Sequence, residues 1–221
     1  MDTTPPSDLA ADLQTRGCAV CDHLAARASA FFAQWQYALY ADERARSEYA
    51  TGPGLCPLHL WQLEGISSLV GAAVAHAPLA ERIARGLEGA AAPSQSRTTI
   101  GHLVPRADGC RVCRLLSEAE TEYIERLAAF VGERDGQEHY ARSQGLCLRH
   151  LARLVAALPE EQTVALVLRT AARQFDQLAE DMRSYVVKTE TLRRELYTVD
   201  DLDAVQRAFT HLGGSRQVPV A

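Results

Sequence analysis

Six cysteines and two histidines carry the chemistry of this 221-residue chain. They fall into four short motifs: Cys18-Ala-Val-Cys21, Cys56-Pro-Leu-His59, Cys110-Arg-Val-Cys113 and Cys147-Leu-Arg-His150. Thirty-four residues separate the first C-x2-C from the first C-x2-H, and 33 separate the second pair. No cysteine lies outside these motifs. Three sulfurs and one imidazole form a tetrahedral metal-ligand set, so the chain is expected to hold two metals. The expected sets are Cys18, Cys21, Cys56 and His59 in the first half, and Cys110, Cys113, Cys147 and His150 in the second. Residues three apart share a helix face, so each pair can point at one ion if it opens a helix. The positive end of the helix dipole then favours thiolate over thiol.

The repeat extends beyond the ligands. Leu24, Phe31, Phe32, Trp35 and Leu39 are followed 92 residues later by Leu116, Tyr123, Ile124, Leu127 and Val131. Tyr49, Gly54, Leu55, Leu60 and Leu63 are followed 91 residues later by Tyr140, Gly145, Leu146, Leu151 and Leu154. Matching apolar positions at helical spacing indicate a duplication. The spacing predicts a helix from Cys18–Cys21 to about Tyr40, a short helical segment over 42–50, and a break at Thr51-Gly52-Pro53-Gly54. A new helix then starts at Pro57, where a missing N–H costs nothing. Helix continues to about Gly89, with punctuation expected at Gly71 and Pro78. Gly54 and Gly145 supply the backbone freedom to turn the next cysteine inward. A first helix of roughly 18 residues rises about 27 Å, and a partly extended return would let the metal clamp both ends of a helical hairpin.

The fold expected is therefore all-α: two pseudo-symmetric helical-hairpin repeats, each clamped by a Cys3His site, plus a long C-terminal helix. The divisions expected are a leader (1–14), a first repeat (15–90), a linker (91–106), a second repeat (107–190), a C-terminal helical segment (191–214) and a tail (215–221). Val164, Leu168, Ala171, Phe175, Leu178, Met182 and Tyr185 make a heptad seam, read as an internal bundle helix or as a homodimer or partner surface. Asp200 or Asp201 can cap a last helix carrying Leu202, Val205, Phe209 and Leu212, closed by Gly213-Gly214.

Among the other histidines, His23 answers to Leu115 in the second repeat and is left out as a ligand. His76, His102 and His211 have no paired motif. Glu48 and His139 sit beside the repeated Tyr49 and Tyr140, where ordinary packing competes with a role in orienting a ligand. Arg111, Arg114 and Arg149 crowd only the second half's motifs and would offset the charge of three thiolates.

The net charge of −5 and only 6% aromatic residues leave no basic stripe for nucleic acid. The apolar run Leu69–Ala80 is too short to span a bilayer, so no membrane partner is expected. Met1–Pro6 lacks the pattern of a signal peptide, and the expected compartment is the cytoplasm, where C-x2-C pairs stay reduced. No phosphate-binding loop, H-E-x-x-H or nucleophile elbow occurs, so no catalytic constellation is found. The reading is a metal-binding protein with an interaction or regulatory role, holding two structural zinc ions. Iron–sulfur clusters for electron transfer or redox sensing remain the alternative, since soft metals share these ligands. Thiol oxidoreductase chemistry is disfavoured because neither C-x2-C lies in a βαβ pattern.

The two G-L-C-x-x-H segments, each behind a C-x2-C, resemble an uncharacterised family of bacterial proteins, a domain of unknown function. Typical members look like C-P-x-C-x-L, a long helix, a charged segment and G-[FL]-C-x-x-H, often twice. Asp203–Phe209 through Gly213 is similar to the family's C-terminal segment. Ala19 and Arg111 stand where the family's C-x2-C carries proline. The resemblance implies a helical, cytoplasmic bacterial protein and brings no activity with it.

Overall fold

The computed structural model describes residues 8–91, 96–191 and 193–214. Among the described residues the regular structure is helical throughout. The helices are α1 (Leu9–Asp12), α2 (Ala19–Ala41), α3 (Glu43–Thr51), α4 (Pro57–Glu64), α5 (Leu69–Ala90), α6 (Ser96–Leu103), α7 (Arg111–Gly132), α8 (Arg134–Arg142), α9 (Leu148–Ala157), α10 (Glu161–Glu190) and α11 (Val199–Gly213), with a 3-10 turn at Arg194–Leu196. None of these helices is long and apolar enough to cross a membrane.

The helix starts follow local chemistry. Asp42 caps α3 by accepting from the Arg44 N–H, and Ser68 caps α5 by accepting from the Gly71 N–H. Pro57 occupies the first turn of α4, as expected. Helix α5 runs unbroken through Gly71 and Pro78, where punctuation was expected. Thr198, not Asp200 or Asp201, caps α11; Asp201 completes a capping box by accepting from the Thr198 N–H at 2.7 Å. The 91–106 stretch, read as a linker, contains α6, which packs on α5; residues 92–95 lie outside the described residues. The 1–14 leader contains α1 and the buried Leu13; residues 1–7 and the tail from 215 lie outside.

The chain forms two compact units that cut across the sequence repeats. Unit 1 combines residues up to Ala25 with Glu120 onward, and unit 2 is Ala26–Ala119. The chain passes from one unit to the other within α2 and again within α7.

In unit 1, α10 packs on α8 and α11, and α11 packs on α9. The core holds Leu13, Val20, Leu24, Leu127, Val131, Leu146 and Leu154, all nearly inaccessible. Each such side chain contributes on the order of 2 kcal/mol by leaving water. The heptad seam meets the core only in part: Ala171 and Leu178 are buried, whereas Leu168 is 46% exposed. The buried face of α10 instead includes Thr163, Val167, Thr170 and Asp181. In α11 Leu202, Val205, Phe209 and Leu212 face solvent, while Asp201, Ala204, Arg207, Ala208 and His211 are buried. Ion pairs hold that inner face: Arg207 to Asp181 at 2.6 Å and to Asp203 at 2.9 Å, and Lys188 to Asp201 at 2.5 Å; at the surface Arg16 meets Asp200 at 2.6 Å.

In unit 2, α5 packs on α3 and α6. Phe32, Trp35, Leu39, Tyr49, Leu55, Leu63, Val112 and Leu116 form its core. Trp35 meets Tyr49 edge-on at 5.0 Å, Tyr49 meets His76 at 5.5 Å, and the Arg111 guanidinium lies 5.9 Å from the Trp35 ring centre.

Candidate metal centres

Two Cys3His sets are assembled, and each draws on both sequence repeats. Unit 1 brings together Cys18, Cys21, Cys147 and His150; unit 2 brings together Cys56, His59, Cys110 and Cys113. All eight expected ligands are used, but the expected grouping within each repeat is corrected: the C-x2-C of one repeat meets the C-x2-H of the other. Helix lengths work against closure within a repeat. Helix α2 has 23 residues and rises about 34 Å. The way back is nine helical residues in α3, about 13 Å, and an irregular stretch before Cys56 that spans about 16 Å at most. With Asp42 extended as well, that return matches the rise of α2 only at full stretch, so closure on Cys18 would leave the chain taut. Helices α7 and α8, with 22 and nine residues, repeat these proportions.

Each centre is built from two helix starts. Cys147 is the N-cap of α9 and Cys56 the N-cap of α4, which puts His150 and His59 in the first turns. Cys18 and Cys110 immediately precede α2 and α7, with Cys21 and Cys113 in the first turns. Gly54 and Gly145, at φ 78° and 80°, make the left-handed step that brings Leu55 and Leu146 into the core and turns the following cysteine to the site.

In unit 1 the Nδ1 atom of His150 lies 3.3 Å from Cys18 Sγ, 3.4 Å from Cys21 Sγ and 3.2 Å from Cys147 Sγ, and Cys21 and Cys147 sulfurs are 3.9 Å apart. In unit 2 Nδ1 of His59 lies 3.1 Å from Cys56 Sγ, 3.5 Å from Cys110 Sγ and 3.3 Å from Cys113 Sγ, and Cys56 and Cys113 sulfurs are 3.6 Å apart. A tetrahedron with Zn–S of ~2.3 Å and Zn–N of ~2.05 Å has edges of about 3.8 Å between sulfurs and about 3.6 Å from sulfur to nitrogen. Donor type and spacing therefore fit a single ion in each centre, and each set can hold a metal.

The surroundings of the two histidines differ. Nε2 of His150 faces Glu120 Oε1 at 3.0 Å, and the other oxygen of this buried carboxylate meets Arg149 at 3.1 Å and Arg153 at 2.5 Å. A proton on Nε2 pointing at the carboxylate leaves the Nδ1 lone pair for a metal. Burial alone would raise the Glu120 pKa, but His150, Arg149 and Arg153 outweigh it and hold the carboxyl below its usual range. Nε2 of His59 is buried and has no hydrogen-bond partner among the described residues.

Within each set the sulfurs differ in acidity. Cys147 is held far below its usual value by hydrogen bonds from Cys18 and Cys21, while burial pushes Cys18 well up. In unit 2 burial opposes ionisation of Cys110, but contact with His59 wins and lowers it to about 6; burial and the neighbouring Cys56 push Cys113 up to about 12. A metal entering either site displaces the remaining thiol protons.

Other candidates are placed as follows. Tyr49 and Tyr140 are buried with their pKa values raised, first by burial and then by the charge on Cys110 and Cys18 respectively. Glu48 pairs with Arg44 and His139 with Asp135, so neither contacts a ligand in the described structure. His76 bonds the Ala72 carbonyl and His211 the Leu146 carbonyl. The three arginines do not crowd one centre: Arg149 supports the unit-1 set through Glu120, and Arg111 stacks on Trp35 in unit 2. Glu120 was missed by the sequence reading. Its signal is a charge on the apolar stripe between Leu116 and Tyr123, where the first repeat has Ala28.

Comparison of the chain with protein-family models, curated proteins and solved structures gives no match.

Proposed function

We propose that the chain is a two-zinc helical protein in which each ion pins two helix starts, and that it serves an interaction or regulatory role. The observation that carries this reading is the pair of Cys3His sets, each with its donor atoms within 4.8 Å of one another. An iron–sulfur cluster places several atoms between its protein ligands and spreads them further apart than a single ion does, so the spacing supports zinc. Four protein ligands close the coordination sphere, which is the arrangement of structural rather than catalytic zinc. Exposed apolar side chains support an interaction role: Trp61 and Leu69 in unit 2, Leu202 and Phe209 in unit 1.

Metal analysis and X-ray absorption on protein purified without oxygen test the reading. Two zinc ions per chain, each with three sulfurs and one nitrogen, are expected, with no visible absorption. Iron with acid-labile sulfide and visible charge-transfer bands would replace zinc by the cluster alternative.

A further inference from the structure

The two centres differ in access and in bracing, and both differences favour the same centre for reaction. In unit 1 Cys18, Cys21, Cys147 and His150 are all at most 2% exposed. Behind them stand Glu120, Arg149 and Arg153. In unit 2 the positions that answer to these three by the repeat offsets are Ala28, Leu58 and Gln62, so no carboxylate or guanidinium occupies them. The His59 ring has no hydrogen bond on its outer nitrogen among the described residues. Cys113 is the one ligand of the eight that is not fully buried, and its sulfur lies 3.6 Å from that of Cys56.

We propose that the unit-2 centre is a peroxide-responsive zinc switch, with Cys113 as the entry point, while the unit-1 centre keeps its metal. This rests on the zinc reading above. The Cys113 thiolate attacks one oxygen of hydrogen peroxide. An S–O bond forms, the O–O bond breaks, and the leaving hydroxide takes a proton to become water. The Cys56 thiolate then attacks the Cys113 sulfenic acid. The S–S bond forms, the S–O bond breaks, and the second hydroxide takes a proton. Two thiolates lose two electrons, peroxide becomes two waters, and zinc is left with two of its four protein ligands and dissociates. In unit 1 the buried sulfurs present no comparable entry point to peroxide, and the His150 ring is held from behind by Glu120, a positioning residue.

The two-zinc protein is treated with hydrogen peroxide in the presence of a zinc-binding dye, with thiols mapped by alkylation and mass spectrometry and helix content followed by circular dichroism. One zinc per chain is expected to leave at least tenfold faster than the other, in step with the loss of two thiols and the appearance of a Cys56–Cys113 disulfide. Dithiothreitol with added zinc should reverse the change. Glu120→Ala, and more gently Glu120→Gln, should speed the slow phase and leave the fast one alone. Simultaneous loss of both ions overturns the proposal, as does oxidation of Cys18, Cys21 or Cys147 first, or zinc loss only after helix content collapses. Fewer than two zinc ions before peroxide is added removes the zinc reading itself and the switch with it.

Discussion

His150 and His59 each follow, by three residues, a cysteine that caps a helix, and each turns Nδ1 toward three sulfurs. Behind His150 a buried carboxylate faces Nε2 at 3.0 Å and is itself held by two arginines; behind His59 the same nitrogen meets no partner among the described residues. The two centres thus share their donor atoms and differ in the groups that orient them. Ligand identity decides whether a soft metal is held, and the outer groups decide how firmly. Two centres with one ligand formula are therefore expected to behave differently in solution.

The largest effect expected comes from removing a ligand. Cys147→Ser and Cys56→Ser should each release one ion and lower the melting temperature, with the larger drop for Cys147→Ser, on the order of 10 °C. Structural zinc contributes on the order of 10 kcal/mol where binding and folding are coupled, and helix packing in each unit carries part of that load. Sequence separation biases the order. The unit-1 centre joins residues up to 132 apart and the unit-2 centre residues up to 57 apart. The longer closure contributes about 0.7 kcal/mol more by constraining the unfolded chain. Thermal melts paired with metal analysis check this, and a larger drop for Cys56→Ser would reverse the comparison.

Next in size is the brace. Glu120→Ala removes the carboxylate from His150 and leaves Arg149 and Arg153 without their shared partner. Zinc affinity at the unit-1 centre should fall ten- to a hundredfold, about 1.4–2.7 kcal/mol, with the unit-2 centre unchanged. Competition with a calibrated chelator measures both sites in one titration. Equal affinity in wild type and variant would mean that the carboxylate orients nothing.

The paired glycines refine the comparison further. Alanine at φ near 80° costs roughly 1 kcal/mol from the left-handed backbone alone, so Gly54→Ala and Gly145→Ala should both destabilise. A Cβ on Gly54 would meet its nearest neighbours at 3.9 Å, whereas one on Gly145 would lie 2.1 Å from Oε1 of Gln174. Gln174 must then give up its 2.7 Å hydrogen bond to the Ser143 carbonyl. Gly145→Ala should therefore cost more by about 1 kcal/mol, read as the difference between denaturant midpoints.

The eight candidate donors could be singled out in the sequence because metal chemistry needs particular residue types, and the i, i+3 spacing at helix starts is local. Their grouping was not legible. Two identical motif pairs satisfy the same ligand formula within a repeat or between repeats, and the outcome turns on the length of α2 and the helicity of α3. A wholly extended return would have reached Cys18 with slack; the helical segment, itself expected over 42–50, takes that slack away. Glu120 shows a different gap. An acidic residue on an apolar stripe reads as a blemish until a partner is known, and its partners sit about 30 residues away on α9. The existence of α11 was legible, but not its buried face: Asp201, Arg207 and His211 are buried there because ion pairs and a carbonyl bond satisfy them.

The smallest effect expected separates the units by acid. Asp201 is held below the usual carboxylate range, chiefly by Lys188. For Asp203 burial works in the opposite direction, but Arg16 and Arg207 prevail and its pKa is also lowered. With folded-state pKa values depressed, the unfolded chain binds more protons on acidification. The contribution to stability is complete above the ordinary carboxylate value of about 3.9 and is lost as pH falls through the lower folded values. The ion pairs described in unit 2, Arg44–Glu48 and Arg106–Asp108, are exposed and contribute little. Amide exchange, corrected for its intrinsic pH dependence, should thus show protection of α11 falling once pH drops below about 4. Asp203→Asn should make that fall shallower, because one of the two titrating groups is gone. Protection of α11 that stays constant from pH 5 to 2.5 would show that packing of Ala204 and Ala208 holds the helix without help from these carboxylates, and a fall of equal depth in Asp203→Asn would assign it to Asp201 rather than Asp203.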